Sequence, residues 1–338
     1  MVASEARYFS WTSTRGFPVG VQPTSGHGSG SEFYVPFAAQ IVGRPSDDWK
    51  IELLGRGGWV WARQSTAGLT GEVATSTDTT ASATATYLGF SGIQPFASVN
   101  VNLPTGRSEL SGSAANARMD PDLVDIASFG EGFNIGPTIG VNLPITKEWT
   151  VTTSAGYTWR GSYQRENSLD TTNSMNPTTQ TPVEIEPGDV LTFYAAVGYQ
   201  SGRLANTLSG SISAESATSE NNVSLYKPGL HYLATDTLSY NWPDIGLTTL
   251  TLSASHANRN KVIYAGTPGI VTEAMNTNSD LYRVGLQHLV PVGQFAVGPI
   301  GSFLYRDHNG YDSGTLQFVP AKERWSAGAL ARDAINDS

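Results

Sequence analysis

The chain of 338 residues contains no cysteine. This absence excludes a disulfide framework, cysteine-based zinc sites and thiol catalysis. Charged residues are also scarce, at 14% of the chain, whereas ordinary globular domains carry about 25%. No stretch approaches the roughly 18 continuous apolar residues that a membrane-spanning helix needs. The chain is polar through hydroxyl and amide groups instead of charge, which is typical of long-stranded β proteins.

The sequence also lacks the marks of several functional classes. A net charge of −9 argues against nucleic-acid binding, which requires a basic surface. His256 follows Ser255, but adjacent residues of a strand point to opposite faces, so the two cannot form a catalytic pair. No nucleophile, base and orienting group fall together, and no metal or cofactor motif is present. We therefore expect no enzymatic activity, no metal and no cofactor.

A period of two runs through much of the chain. In "EWTVTTSAGYTWRGSY" (148–163), Val151, Ala155, Tyr157 and Trp159 fall on one side of an extended chain and hydroxyl groups fall on the other. Successive side chains of a strand point to opposite faces, so this pattern predicts a strand with one apolar and one wet face. The same alternation recurs at 95–104, 206–216, 190–200 and 247–257.

The connections between these segments alternate in length. Short links rich in Pro, Gly, Asp and Ser occur at 45–48, 143–147, 201–202, 243–246, 291–293 and 320–323. Long polar links occur at about 65–79, 105–133, 164–189, 216–229, 258–279 and 307–314. Residues of these types form turns for specific backbone reasons. The rhythm predicts an up-and-down sheet with short turns at one end and long loops at the other.

Aromatic residues recur at two levels of the predicted strands. One set adjoins the short turns (Trp49, Trp149, Trp242, Phe295 and Trp325), and a second lies far along the strands (Trp59, Trp61, Tyr157, Trp159, Phe303 and Tyr305). Rings at both interfaces are how a transmembrane β-barrel meets a bilayer. In strand pattern the chain resembles bacterial outer-membrane β-barrel proteins of the porin or transporter kind. The resemblance implies an all-β, antiparallel transmembrane barrel of about 14–16 strands in the outer membrane of a Gram-negative bacterium.

The predicted barrel occupies residues 1–338 as a single domain. Within it, 1–31 is an N-terminal strand and loop segment, in which 5–14 forms an extra leading strand. About fourteen strands follow from Phe33 onward. Because barrels of this class carry even strand numbers, either the topology is shifted by one strand or a closing strand lies beyond residue 338.

Charged residues on the wet faces are candidates for lining a pore. If the apolar faces meet lipid, then Arg56, Arg160, Arg283, Arg306, Arg332, Glu52 and Glu215 point inward. Rings of charge select ions by sign, and five arginines against two glutamates predict a mild anion preference. The longest link carries Asp120, Asp122, Asp125 and Glu131. These carboxylates form a solvated acidic loop, a cation site, or a constriction folded into the lumen, and the last would reverse the preference.

We expect a channel for small polar solutes or ions, in contact with the bilayer and lipopolysaccharide. The first alternative is a non-conducting barrel that serves as an anchor or as a partner in surface assembly or secretion. Such a barrel would bind another protein, or a second copy of itself, through its long loops. The second alternative is a soluble all-β adhesin or lectin, since soluble sandwiches also alternate.

Overall fold

The computed structural model describes residues 1–13, 28–66, 69–119, 124–166, 182–263, 268–274, 276–308 and 323–333. Almost all regular structure in these ranges is β-strand, together with one short 3₁₀ helix at Gly112–Ala117. No helix in these ranges is long and apolar enough to cross a membrane.

The strands are numbered in chain order. The first eleven are β1 (Val2–Ser13), β2 (Gly28–Ser46), β3 (Trp49–Thr66), β4 (Leu69–Ser76), β5 (Thr79–Tyr87), β6 (Gln94–Leu103), β7 (Asn134–Pro144), β8 (Trp149–Arg160), β9 (Tyr163–Glu166), β10 (Pro182–Glu186) and β11 (Val190–Ser201). The others are β12 (Leu204–Glu215), β13 (Thr218–Glu220), β14 (Val223–Lys227), β15 (His231–Trp242), β16 (Gly246–Ala257), β17 (Lys261–Ile263), β18 (Ile270–Thr272), β19 (Ser279–Val292), β20 (Phe295–His308) and β21 (Glu323–Asp333).

Fourteen of these strands form one closed antiparallel barrel, which confirms the predicted fold class. Around the barrel the order is β1, β2, β3, β5, β6, β7, β8, β11, β12, β15, β16, β19, β20 and β21. The barrel closes where β1 pairs with β21, from Val2 opposite Asp333 to Arg7 opposite Gly328. The predicted leading strand is therefore β1, and the described strands close without any strand beyond residue 338. Closure leaves no unpaired edge, as a strand structure in hydrocarbon requires.

The outer face of the barrel is apolar and carries two belts of aromatic rings. At the short-turn end, Trp149 packs on Tyr199 with ring centroids 4.7 Å apart. At the long-loop end, Phe303 packs on Trp325 at 4.3 Å. Trp325 was expected beside a short turn, and that assignment is wrong because β21 begins at the long-loop end, where Trp325 lies opposite Phe303. The belts mark the two membrane interfaces.

Strand structure continues beyond the membrane at the long-loop end. There β9, β10, β13, β14, β17 and β18 form a separate six-stranded sheet. In addition, β4 pairs with the end of β3 that β5 does not reach, so β4 and β5 lie end to end along β3. These strands fall within links predicted as long loops, which corrects that prediction. Their outward faces lie beyond the hydrocarbon, so they lack the continuous apolar outer face that identifies the barrel strands.

Candidate functional site

A long connection folds into the barrel at its long-loop end. We call residues 104–133, between β6 and β7, the inserted segment; the structure describes them except for 120–123. The segment packs against the inward faces of β1, β2, β3 and β4. The inserted segment therefore occupies part of the lumen on this side.

Apolar side chains hold the inserted segment against the wall. Phe129, Leu110 and Val124 are almost fully buried, and they form one cluster with Phe9 of β1 and Val60 of β3. Phe9 and Val60 lie on the strand faces opposite to the aromatic belts. Burying an apolar side chain of this size contributes about 1.5–3 kcal/mol, so the cluster favours one fixed position of the segment.

Two arginines of the barrel wall form ion pairs with one carboxylate of the inserted segment. Asp125 accepts a hydrogen bond from Arg7 Nη1 of β1 at 2.6 Å and lies 2.9 Å from Arg324 Nη2 of β21. Arg324 also donates to the carbonyl of Val124 at 2.7 Å. On β2, the buried Glu32 accepts the backbone N–H groups of Asp125 and Ile126 at 3.2 and 3.1 Å. Three neighbouring strands thus fix the same turn of the inserted segment.

Both ends of the inserted segment are tied to neighbouring loops. Asp78, between β4 and β5, accepts the backbone N–H groups of Gly106 at 2.8 Å and Glu131 at 2.7 Å. Arg118 forms an ion pair with the buried Glu166 of β9, and Glu166 also accepts the N–H of Leu110 at 2.9 Å. Charge-assisted hydrogen bonds of this kind are among the stronger ones.

Glycine allows the helix of the segment to approach the wall closely. A Cβ added to Gly71 of β4 would collide with the backbone of Asn116 and Ala117. A Cβ added to Gly106 would likewise collide with the carbonyl of Phe129. The lack of a Cβ at Gly71 therefore lets the helix pack closely on β4. The lack of a Cβ at Gly106 lets the two ends of the segment approach each other.

All seven residues predicted to line the pore lie on the inward faces of barrel strands. They are Glu52 and Arg56 on β3, Arg160 on β8, Glu215 on β12, Arg283 on β19, Arg306 on β20 and Arg332 on β21. Some are paired: Arg160 lies 3.0 Å from Glu215 and 3.3 Å from Glu131. Among the described residues, no carboxylate lies within ion-pair distance of Arg56, Arg283 or Arg332.

The arginines gather around a series of adjoining cavities inside the barrel. A cavity of about 560 Å³ is lined by Arg7, Arg56 and Arg332, by the carboxylates of Glu5 and Asp78, and by Gln287 of β19. Arg56 also lines a second cavity of about 300 Å³. Arg7 and Gln287 also line a third cavity, of about 220 Å³, together with Arg283 and Asp125. These shared residues link the three cavities inside the barrel.

The acidic residues predicted for the long loop separate in the structure. Asp125 pairs with Arg7 and Arg324, and Glu131 pairs with Arg160. Asp120 and Asp122 lie outside the described residues. Within the described ranges, no group of three or more His, Asp or Glu side chains could hold a metal ion.

Sequence reasoning missed five charged residues of the inner wall, one of which is Lys50 of β3, whose Nζ lies 3.3 Å from Glu52. Glu5 and Arg7 lie on β1, which was predicted only as an extra leading strand, and Glu32 lies on β2. Arg324 follows a stretch that was interpreted as a short turn, but it lies on β21 opposite Leu304. The alternation in "EARYFSW" (5–11) was the signal that could have placed Arg7 inward.

Comparison with known proteins supports the fold alone. No family model matches the chain, and no curated protein does. A FadL homologue of Pseudomonas aeruginosa is similar in structure, with 7% identity, a TM-score of 0.52, and coverage of 98% of this chain and 88% of the other. An outer-membrane channel from Pseudomonas putida F1 gives 10% identity, a TM-score of 0.45, and coverage of 98% and 94%. A monoaromatic hydrocarbon channel, TodX, is 11% identical, with a TM-score of 0.48 and coverage of 98% of this chain and 87% of the other.

The fold and its apolar outer face define the class of this protein. It is a β-barrel of the bacterial outer membrane. The alternative of a soluble adhesin or lectin is wrong, because the apolar faces point out of a closed barrel and not into a core.

Proposed function

We propose that the protein is an outer-membrane channel for small polar solutes, with a preference for anions. The observation that carries the proposal is the position of Arg56, Arg283 and Arg332 around the inner cavities, where no carboxylate of the described residues lies within ion-pair distance of these three. Glu5 and Asp78 line the cavity of Arg56 and Arg332, and Asp125 lines that of Arg283, so the arginines share these cavities with carboxylates. Charged groups that line a narrow passage select by sign. The guanidinium group also presents a fork of donors that suits carboxylates and phosphates.

The inserted segment does not cancel this basic character. Asp125 lies between two arginines, and Glu131 shares Arg160 with Glu215. Seven arginines of the paired barrel strands face inward (Arg7, Arg56, Arg160, Arg283, Arg306, Arg324 and Arg332), whereas four glutamates do (Glu5, Glu32, Glu52 and Glu215). The predicted reversal of preference by an infolded loop is therefore not expected.

Distance and screening add to the effect of the wall charges. Carboxylates at the outer ends of the loops lie in water, where charges further apart than about 8 Å are largely screened at physiological salt. Wall arginines act on a permeating ion at shorter range. We expect the anion preference to strengthen as salt is raised, because the field of the loops then fades.

Recordings from single molecules in planar bilayers test the proposal. Wild-type protein should give discrete conductance steps, and the reversal potential in a KCl gradient should have the sign of chloride selectivity. Discrete steps with a potassium-selective reversal potential would refute the anion preference and leave the channel function standing. A complete absence of steps would refute the channel function itself.

The packing of the inserted segment favours a second candidate function, a plugged barrel that serves as an anchor or assembly partner. The buried cluster around Phe129 and the contacts that three strands make with the turn at Asp125 are typical of a segment that does not move. A plugged barrel predicts a silent wild type, together with conducting variants in which the segment is released. A channel predicts conduction by the wild type.

A further inference from the structure

Two arginines of the inner wall stand on either side of a pair of alanines. Arg56 of β3 lies in one row with Ala38 of β2, Ala3 of β1 and Arg332 of β21, and each residue lies directly opposite the next on the neighbouring strand. All four line the cavity of about 560 Å³. With strands about 4.8 Å apart, the row spans roughly 14 Å. The short side chains of the two alanines therefore leave space between the arginines for part of a solute.

The charges of this cavity suit one anionic group. No carboxylate of the described residues lies within ion-pair distance of Arg56 or Arg332, and the buried Nε of Arg332 has no hydrogen-bond partner there. The two carboxylates that line the cavity are engaged. Glu5 forms an ion pair with Arg7, and Asp78 accepts three hydrogen bonds, two of them from the backbone of the inserted segment. Three arginines against two carboxylates leave one positive charge, which matches a single carboxylate of a solute.

Hydroxyl and amide groups adjoin Arg56 on its other side. The row continues from Arg56 to Thr80 of β5, Asn102 of β6 and Asn134 of β7. These residues line the cavity of about 300 Å³ together with Asn100. We call Thr80, Asn100, Asn102 and Asn134 the amide shelf. Hydroxyl and amide side chains both donate and accept hydrogen bonds, and ligand sites commonly have volumes of about 300–1,000 Å³.

One group of the amide shelf lacks a partner within the protein. The Oδ1 atom of Asn134 is buried and has no hydrogen-bond partner among the described residues. A buried polar atom without a partner costs about 1–3 kcal/mol. A hydroxyl group of a bound solute would supply the missing donor.

We propose that the two cavities together bind a monosaccharide that carries one carboxylate, such as a hexuronate, as it passes through the barrel. This inference rests on the proposed channel function and names its substrate class. The carboxylate lies over Ala3 and Ala38 and accepts hydrogen bonds from Arg56 and Arg332, because a guanidinium group presents a fork of donors to a carboxylate. The hydroxyl groups of the sugar form hydrogen bonds with the amide shelf. Chloride interacts with the arginines alone.

Interruptions of single-channel current in planar bilayers test the proposal with three solutes of the same ring size. Glucuronate carries a carboxylate and hydroxyl groups, cyclohexanecarboxylate carries the charge alone, and glucose carries hydroxyl groups alone. Each solute is added to the wild type in KCl, and its residence time is read from the length of the interruptions. Glucuronate should remain bound longest, because it alone engages both the arginines and the amide shelf. Equal residence times for glucuronate and either of the other solutes overturn the proposal.

A variant of the amide shelf separates the two parts of the site. Asn100→Ala should shorten the residence time of glucuronate by roughly threefold to tenfold, the loss expected for one neutral hydrogen bond. It should not shorten that of cyclohexanecarboxylate, which has no hydroxyl groups. Asn241→Ala is the matched control, because Asn241 lies opposite Leu247 on β15 and lines none of the three cavities.

The outcomes distinguish this proposal from the channel function on which it rests. A conducting, anion-selective wild type whose glucuronate residence time is the same in Asn100→Ala overturns the sugar-acid site and leaves the channel function standing. A wild type without conductance steps refutes the channel function and this proposal with it.

Discussion

Arg7 Nη1, on the strand that closes the barrel, lies 2.6 Å from Asp125 Oδ2 of the inserted segment. These residues are 118 positions apart, and the contact joins the first strand of the barrel to the segment that narrows its lumen. Arg324 of the last described strand reaches the same carboxylate. The seam where the barrel closes is therefore also the place where the segment is held.

Release of this contact should open the lumen. Asp125→Ala removes the acceptor shared by Arg7 and Arg324, so the segment loses its ion pairs with β1 and β21. We expect single-channel conductance to rise and to fluctuate between levels, and this can be recorded in planar bilayers. Glu148→Ala, at a short turn on the opposite end of the barrel, serves as the control and should leave conductance unchanged. An unchanged, quiet conductance in Asp125→Ala would show that the segment does not narrow the pathway.

The packing of the 3₁₀ helix against β4 can be tested by a substitution that leaves the charge unchanged. Gly71→Ala places a methyl group against the backbone of Asn116 and Ala117. The helix must shift, so proteolysis between 104 and 119 should become faster in intact outer membranes. Gly55→Ala is the matched control, because an added Cβ there meets nothing within 4 Å. Equal cleavage rates in the two variants would contradict the packing described for this helix.

A carboxylate on the outer face should limit stability. Asp236 lies on the lipid-facing side of β15 between Leu208 and Leu252 of the neighbouring strands, and Asn206 donates a hydrogen bond to it at 2.7 Å. Charged groups at mid-depth are unfavourable in barrels, and acids less so than bases. Asp236→Leu should therefore raise the free energy of unfolding by about 1–2 kcal/mol, as measured by urea titration in liposomes. A loss of stability would show that protein or another ligand, and not lipid, contacts Asp236.

The strands predicted from sequence are those with one face in lipid. The segment 190–200 corresponds to β11 and 247–257 to β16, because hydrocarbon demands an uninterrupted apolar face. β4 was missed because its sequence, "LTGEVATS", presents Thr70, Glu72 and Ser76 outward. A strand whose outward face meets water needs no apolar side chains there, so β4 lacks the apolar outer face by which the barrel strands were predicted.

The inward direction of the wall arginines also follows from the alternation of side chains. Within one strand, every second residue faces the same side, so its position in the strand decides its face. The contacts of the inserted segment do not follow from alternation. Leu110, Val124 and Phe129 have no regular spacing, and their common burial arises from the path of the segment across four strands. The ion pairs of Asp125 could be predicted only from the fact that β1 and β21 are neighbours. That pairing is a property of barrel closure and not of local sequence.

Reversal potentials of a charge-neutralised barrel test the central claim most directly. The variant Arg56→Ala, Arg283→Ala, Arg332→Ala removes the three wall arginines that lack a described carboxylate partner. Arg63→Ala removes one positive charge from the outward face of β3 and serves as the control. In a KCl gradient the wild type and the control should be anion-selective, and the triple variant should lose that preference or become cation-selective. Unchanged selectivity in the triple variant, or a cation-selective wild type, would contradict the role assigned to the arginine wall.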